Sequence, residues 1–205
     1  MLADIKHLEL SDVFFTKRGS KICKIRCAGD DYSITPTEYL RAPFDASNYD
    51  KNGSASRLGL TLETNAELQK VVEIFDQWIV QYLSEHSARI FDKDMTMDQI
   101  QDGYCSCLRY KDPYKPTLKC KIDRDGRRGV CCWEPSGEPT DIPDDWRNFM
   151  TKPRLHVSHL WIVSPQQFGV VIQLTDAELV PSEVVPAQVR RNPFRDADGM
   201  PYALY

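Results

Sequence analysis

The sequence lacks any run of about 18 consecutive apolar residues, the length from which a membrane-spanning helix is recognised. Residues 1–10 include Asp4, Lys6 and Glu9 and contain no apolar segment of the kind that a secretory signal requires. We therefore expect an intracellular protein with no membrane partner. In that compartment its seven cysteines are expected to be mainly reduced thiols.

Sequence motifs of enzyme chemistry are also missing. There is no glycine-rich phosphate loop, no histidine–glutamate helix motif for zinc, and no nucleophile in a recognisable elbow. Two acidic groups could hold a hard cation for a nuclease: Asp123 with Asp125, and Asp141 with Asp144 and Asp145. Because acid-rich turns are far more often solvated loops, we predict that the protein is not an enzyme and keep a metal-dependent nuclease as the least favoured alternative.

Cysteine and histidine form two pairs with the character of zinc ligands, Cys105 with Cys107 and His156 with His159. A third thiol, Cys120, alternates with apolar neighbours, which is typical of a buried cysteine. We predict no metal and no cofactor, and leave open whether the two pairs bind zinc. The role of residues 124–145, rich in cysteine, tryptophan and proline, is also left open.

Basic residues are fewer than acidic residues overall, but they are concentrated in two segments. The net charge is −4, yet residues 16–29 hold five cations and no acid, and residues 109–128 hold eight cations and three acids. The two segments together carry +10, which leaves −14 for the rest of the chain. Such separation can place a basic surface, suited to nucleic acid or to an acidic partner, on an acidic protein.

Alternation of apolar and polar residues predicts several short strands. They cover residues 20–27, 33–37, 57–62 and 117–122, and a hairpin formed by 154–163 and 168–175. In the first strand Cys23 and Ile25 fall on the apolar side, whereas Lys24 and Arg26 fall on the other. Residues 39–56 and 137–145 are predicted to be loops.

The most distinct helix follows Thr64, which with Glu67 matches a capping box, and its apolar stripe continues to Leu83. Residues 95–103 predict a second, short helix. These elements favour an α+β fold, in which an OB-fold-like curved β-sheet or barrel has one long amphipathic helix packed across it. We predict that residues 1–180 form this single domain and that residues 181–205 form an extended C-terminal tail.

Aromatic residues lie among the cations of the basic segments. Cations neutralise the phosphates of a single strand, and aromatic faces stack on unpaired bases at about 1–3 kcal/mol per base. The predicted nucleic-acid-binding residues are Lys21, Lys24, Arg26, Arg109, Tyr110, Lys111, Tyr114, Lys115, Lys119, Lys121, Trp161 and Phe168. Trp133 is a further candidate for stacking. For each aromatic residue the alternative is core packing, above all for Trp161 and Phe168, which lie inside apolar strands.

Three stretches, in order, resemble the single-stranded DNA-binding proteins of the large nucleocytoplasmic DNA viruses, a family similar to phage replication proteins with an oligonucleotide-binding fold. The stretches are ITP at 34–36 with APFD at 42–45, SNYD at 47–50 and LGLTL at 58–62; YKDPYKPTLKCKI at 110–122; and LWIV at 160–163 with FGVV at 168–171. Residues 124–145 have no counterpart in that pattern, and His159 stands where a small residue is expected.

The resemblance implies a non-enzymatic replication or recombination factor that coats unpaired strands. It also implies a viral replication site in the host cytoplasm or nucleus, and recruitment of replication proteins through the C-terminal tail. Our first hypothesis is a sequence-tolerant single-stranded DNA-binding protein. The alternative is a protein-interaction or scaffold module with a basic face. The choice of DNA over RNA, the site size and the oligomeric state, including a homodimer, are left open.

Overall fold

In a computed structural model, described for residues 5–17, 19–48, 57–126 and 129–182, the chain forms a curved sheet with helices packed against it. The strands are β1 (Leu8–Leu10), β2 (Phe14–Phe15), β3 (Lys21–Cys27), β4 (Asp30–Asp31), β5 (Ser33–Ile34), β6 (Leu40–Arg41), β7 (Ser47–Asn48), β8 (Arg57–Glu63), β9 (Tyr104–Cys105), β10 (Leu108–Lys111), β11 (Tyr114–Asp123), β12 (Cys131–Trp133), β13 (Pro139–Thr140), β14 (Phe149–Ser164) and β15 (Gln167–Pro181). The α-helices are α1 (Ala66–Glu85), α2 (Ser87–Phe91) and α3 (Met97–Gly103), and 3₁₀ turns cover Ile5–His7 and Trp146–Asn148.

The centre of the sheet is the long antiparallel hairpin of β14 and β15, which pair along almost their whole length. The main strand order is β1-β3-β14-β15-β11-β8-β7. Along its other edge β15 meets three partners in succession, all parallel to it: β9 at Phe168 and Gly169, β11 at Gln173, and β12 from Asp176 to Glu178. The hairpin therefore holds together segments from both halves of the chain.

The hydrophobic core lies between one face of this sheet and α1. The helix contributes a stripe at three- and four-residue spacing, consisting of Leu68, Val71, Val72, Phe75, Ile79 and Leu83. Alternate residues of β3, β8, β11, β14 and β15 belong to the same buried cluster. The predicted fold class is confirmed: the protein is α+β, with an OB-fold-like curved sheet crossed by one long amphipathic helix.

The period-two predictions for individual strands are confirmed by burial. Cys23 and Ile25 of β3 are buried while Lys24 is exposed. Leu58, Leu60 and Leu62 of β8 are buried, as are Leu118, Cys120 and Ile122 of β11. The hairpin predicted around residues 164–167 is confirmed too, with both strands longer than the pattern indicated.

The predicted capping box at Thr64 and Glu67 is wrong. The cap of α1 is Asn65, whose Oδ1 accepts a hydrogen bond from the Leu68 amide at 2.9 Å. The Thr64 hydroxyl instead donates to the Pro116 carbonyl on β11 at 2.9 Å, and Glu67 accepts from Thr37. Tertiary partners thus compete for the two side chains that the local motif would use.

Several further elements were missed by the sequence patterns. The loop predicted for residues 39–56 contains β6 and β7, its residues 49–56 lying outside the described part, and α2 was not predicted. Residues 124–145 contribute β12, which joins β15, and β13, which pairs with β12. Residues 183–205 of the predicted tail lie outside the described residues, whereas β15 continues to Pro181. Within the described ranges no helix is both long and apolar enough to cross a membrane.

The helix cap can be tested by replacing Asn65. Asn65→Ala removes the acceptor for the Leu68 amide and is expected to lower the free energy of unfolding by about 1 kcal/mol in urea denaturation. Asn65→Ser is the matched control. A serine hydroxyl can accept the hydrogen bond from the Leu68 amide, whereas both serine and alanine lose the hydrogen bond that the Asn65 side chain donates to Glu38. Equal losses in the two variants would contradict the assigned cap.

Candidate nucleic-acid interface

The side of the sheet that faces away from the core, here called the outer face, is set by the alternation of the same strands. Trp161 of β14 lies opposite Ile22 of β3, and His159 lies opposite Lys24. Because these positions alternate with the buried Cys23 and Leu160, their side chains share the outer face. Two of the predicted binding residues, Lys24 and Trp161, are thereby brought onto one surface.

Because Gly169 has no side chain, the Trp161 indole can lie across β15. Gly169 is directly opposite Trp161 in the hairpin register. A Cβ atom at residue 169 would stand 2.9 Å from an indole ring atom and 2.7 Å from the Cys105 carbonyl oxygen. Glycine therefore permits both the close approach of β9 and the position of the half-buried indole over the strand.

A cleft of about 140 Å³ opens beside Trp161, between β15 and the segment formed by residues 105–107. It lies where β15 passes from its partner β9 to its partner β11. Its walls include Trp161, Arg109 and Lys119, with Val170 and Ile172 of β15 behind them. The fold thus brings together an aromatic face and two cations that are far apart in the sequence, the combination that binds an unpaired nucleotide.

Asp76 of α1 stabilises the segment that forms one wall of this cleft. Asp76 accepts hydrogen bonds from the Tyr104 hydroxyl at 2.6 Å and from the Ser106 hydroxyl at 2.5 Å. Burial raises the pKa of Asp76 above its ordinary value, although both hydroxyl bonds act in the opposite direction. Burial, with Asp76 nearby, also raises the pKa of Cys107 to about 12, so this thiol is protonated at neutral pH.

Lys121 also lies on the outer face, but its ammonium group already contacts protein. Its Nζ lies 2.8 Å from Asp123 Oδ2, and both side chains are less than one-fifth exposed. Gln173 donates to the same carboxylate oxygen at 3.1 Å. Lys119, two residues earlier on β11, lines the cleft instead. Because Lys119 lies in the cleft beside Trp161, we expect it to contribute more to phosphate binding than Lys121.

Arg26 lies on the outer face between two acidic neighbours. In the strand register it is opposite Glu9 of β1 and Asp31 of β4. Its guanidinium group donates to the Gly29 carbonyl at 2.7 Å. Because of these acids and this local bond, we expect Arg26 to contribute less to phosphate binding than Lys24.

Two predicted binding residues, Phe168 of β15 and Lys21 of β3, lie on the core side of the sheet. Phe168 is 0% exposed and packs against Phe91, with ring centroids 4.9 Å apart, so core packing accounts for it and it is removed from the interface. Lys21 is opposite Ile162 and its Nζ lies 2.8 Å from Asp92, which follows α2. Its position on the helix side removes Lys21 from the interface as well.

The end of the β10–β11 hairpin carries the remaining predicted residues. Tyr110 and Tyr114 are 61% and 68% exposed, and Lys111 and Lys115 are exposed too. The Tyr110 hydroxyl donates to Glu73 of α1 at 2.5 Å, which raises the pKa of Tyr110 to about 12 and directs its side chain towards the helix. These residues form a peripheral basic and aromatic tip rather than part of the cleft.

The sequence patterns did not single out Phe14 and Phe15, which form β2 at the edge of the sheet. They are 37% and 65% exposed. Lys24 Nζ lies 5.8 Å from the Phe14 ring centroid, and Lys21 Nζ lies at the same distance from the Phe15 ring. The signal available in the sequence was an aromatic pair immediately before a segment with five cations and no acid.

Charge is distributed unequally between the two sides of the sheet. Residues 66–103, which form α1, α2, α3 and their connections, contain eight acids and three lysine or arginine residues. The outer face and the cleft carry Lys24, Arg109, Lys119 and Lys121, and the outer face also carries the acids Glu9, Asp31 and Asp123. The cations of the cleft therefore favour an anion there, whereas the excess of acid on the helical side disfavours one.

Among the side chains that the structure describes, no three or more of His, Cys, Asp and Glu converge closely enough to hold a metal ion. His156 Nδ1 lies 3.2 Å from the Tyr32 carbonyl oxygen, and His159 Nδ1 lies 3.0 Å from the Ser158 hydroxyl. Asp145, from the second acidic group, is paired with Arg147, which lowers the pKa of Asp145. In this part of the chain neither the cysteine and histidine pairs nor the acidic groups form a metal cluster.

Comparison with known proteins gives matches in structure only. No family model matches the sequence, and no curated protein matches it. The chain is similar to the single-stranded DNA-binding protein from bacteriophage Enc34 in complex with ssDNA, with a TM-score of 0.44 and 8% identity over 85% of this chain and 97% of that one. A C-terminal truncation of the same phage protein gives a TM-score of 0.43 and 8% identity, covering 85% and 96%. With TM-scores below 0.5, neither likeness establishes a function for this chain.

The contact between Gly169 and Trp161 can be tested by a double-mutant cycle. Gly169→Ala is expected to lower the free energy of unfolding by about 1–3 kcal/mol, because the new methyl group overlaps the indole and the Cys105 carbonyl. In a Trp161→Ala background part of this cost should disappear, since one of the two overlaps is gone. Equal costs in the two backgrounds, measured by urea denaturation, would show that the indole does not lie over Gly169.

The raised pKa of Asp76 predicts a pH dependence of stability. The folded protein holds the Asp76 proton more tightly than the unfolded chain does, so this residue's contribution to the free energy of unfolding falls as the pH rises above its ordinary pKa of 3.8. Asp76→Asn removes the titration. The stability of the wild type relative to this variant should therefore decrease in urea denaturation as the pH is raised above 3.8. Parallel pH profiles would contradict the prediction.

Proposed function

We propose that the protein binds single-stranded DNA without strong sequence preference through its outer face. The observation that carries the proposal is the cleft, where the Trp161 indole lies with Arg109 and Lys119 on the side of the sheet away from the acidic helices. An unpaired base can stack on the indole while the two cations neutralise neighbouring phosphates. Lys24 extends the positive charge along β3.

The geometry favours a single strand over a duplex. The aromatic face is only half-buried, and it is held by the β15 backbone rather than presented at the tip of an element that could enter a groove. Stacking on an aromatic face does not distinguish strongly between bases, because every base has such a face. Sequence-tolerant binding is therefore the mode that the cleft supports best.

A role in DNA replication or recombination is the finer part of the proposal. It rests on the resemblance of residues 34–62, 110–122 and 160–171 to the single-stranded DNA-binding proteins of large nucleocytoplasmic DNA viruses. In this role the protein acts without catalysis by coating exposed strands at a viral replication site. Recruitment of replication proteins through residues 181–205 belongs to the same proposal.

Binding should depend strongly on salt and on the residues of the cleft. A fluorescent thymidine oligonucleotide of about 16 nucleotides is titrated at about 50 and 200 mM salt. Each of Lys24→Ala, Arg109→Ala and Lys119→Ala is expected to reduce the slope of log K against log salt by about 0.7, the value for one phosphate contact on a single strand. Trp161→Ala should cost about 1–3 kcal/mol of binding free energy with little change in slope.

The matched control is Lys70→Ala, which removes an exposed lysine from α1 on the helical side and should leave binding unchanged. Wild-type binding that is absent or insensitive to salt would refute the proposal.

Capture of an acidic protein without retention on single-stranded DNA cellulose would favour the interaction-module alternative. A strand-cleavage assay with magnesium or manganese tests the nuclease alternative, and uridine oligonucleotides measure the preference for DNA over RNA.

A further inference from the structure

We infer that Phe14 forms a second base-stacking site, so that a bound strand crosses the sheet from Trp161 towards the β2 edge. The inference rests on the proposed function and adds to it a residue and a path. Phe14 lies outside the basic segments whose charge pointed to nucleic acid, and only the strand register connects it with Trp161.

The register forms one transverse row on the outer face. Phe14 of β2 is directly opposite Ile22 of β3, and Ile22 is directly opposite Trp161 of β14. Residues directly opposite in antiparallel pairs point to the same side of a sheet. The Phe14 ring and the Trp161 indole therefore share the outer face, with the shorter, half-buried Ile22 side chain between them.

The turn between β2 and β3 fixes the position of Phe14. The Thr16 amide donates to the Ser20 carbonyl at 2.9 Å, and the Gly19 amide donates to the Thr16 carbonyl at 2.8 Å. Gly19 has a φ of +80°, a conformation that favours glycine. Because these bonds close the hairpin, the backbone at Phe14 is held in place and does not have to be ordered when a base binds.

Lys24 supplies the cation that a stacked nucleotide needs beside this ring. Its ammonium group lies 5.8 Å from the Phe14 centroid, and the side chain is otherwise exposed. At this distance the cation–π attraction is near its limit, so Lys24 can turn to a phosphate at little cost. Phe14 with Lys24 thus repeats, at the sheet edge, the pairing of Trp161 with Lys119 in the cleft.

The spacing of the two rings suits separate bases of one strand. Phe14 and Trp161 are two strands apart, which corresponds to about 9.5 Å between their backbones. Successive nucleotides in a stacked strand rise by about 3.4 Å. The two rings therefore contact different bases of one oligonucleotide, and their contributions to affinity should be nearly independent.

Phe15, the neighbour of Phe14 in β2, provides an internal control for the stacking role of Phe14. It is more exposed than Phe14, at 65% against 37%, and it also has a lysine near its ring. Phe15 lies opposite Lys21, however, and Lys21 lies opposite the buried Ile162. Neighbouring phenylalanines with similar surroundings thus occupy opposite sides of the sheet, and only the one on the outer face should bind a base.

The experiment compares Phe14→Ala, Phe15→Ala and Trp161→Ala in the full chain, using a thymidine oligonucleotide of about 12 nucleotides. Phe14→Ala is expected to raise the Kd by roughly 5- to 150-fold, the range for loss of one stacked base. Phe15→Ala should leave the Kd unchanged. The Phe14→Ala/Trp161→Ala double variant should show the product of the two single losses. Phe14→Trp keeps an aromatic face and should retain binding, which guards against misfolding of the alanine variant.

Each outcome has a defined meaning. If Trp161→Ala weakens binding but Phe14→Ala does not, the second stacking site is refuted and the proposed function stands. Equal losses in Phe14→Ala and Phe15→Ala would show that the hairpin was destabilised, and would refute base stacking by Phe14. If neither Trp161→Ala nor Phe14→Ala alters binding, both the inference and the proposed function fail.

Discussion

The backbone pairing of β14 with β15 is the constraint on which the rest of the structure depends. One side of this hairpin supplies the centre of the core, through residues such as Leu160 and Phe168. The other side carries Trp161 and, through the glycine at 169, leaves room for the indole. Both edges of the hairpin are used, because β3 joins β14 while β9, β11 and β12 join β15. A change of register by one residue would exchange the core and the outer face, so fold and candidate site are fixed by the same hydrogen bonds.

The separation of charge follows the same division. Helices α1, α2 and α3 carry an excess of acid on one side of the sheet, whereas Arg109 and Lys119 line the cleft on the other side. Asp76 and Glu73 hold residues 104–110, through Tyr104, Ser106 and Tyr110, without lying on the outer face. The acidic helix therefore supports the wall of a basic cleft, which explains how a chain with net charge −4 can present a surface suited to an anion.

The secondary structure was predictable where a single period dominates. The strands β3, β8 and β11 and the helix α1 were recognised because apolar residues recur at the spacing of one face. The cap of α1 was misassigned because Thr64 bonds to Pro116 on β11. Strands β6, β7, β12 and β13 were missed because two or three residues form no measurable period, and their pairing partners lie far away in the chain.

The sequence by itself supplied most of the candidate binding residues and determined that Lys24 lies on the opposite side of β3 from Cys23, because strand periodicity is a local property. Only the tertiary structure decided which of these residues act together. Register and curvature bring Trp161, Arg109 and Lys119 to one cleft, bury Phe168, and turn Lys21 towards Asp92. They also add Phe14 to the face that carries Trp161. The reason is that hydrogen bonds between strands distant in sequence set the register, and no local pattern specifies those partners.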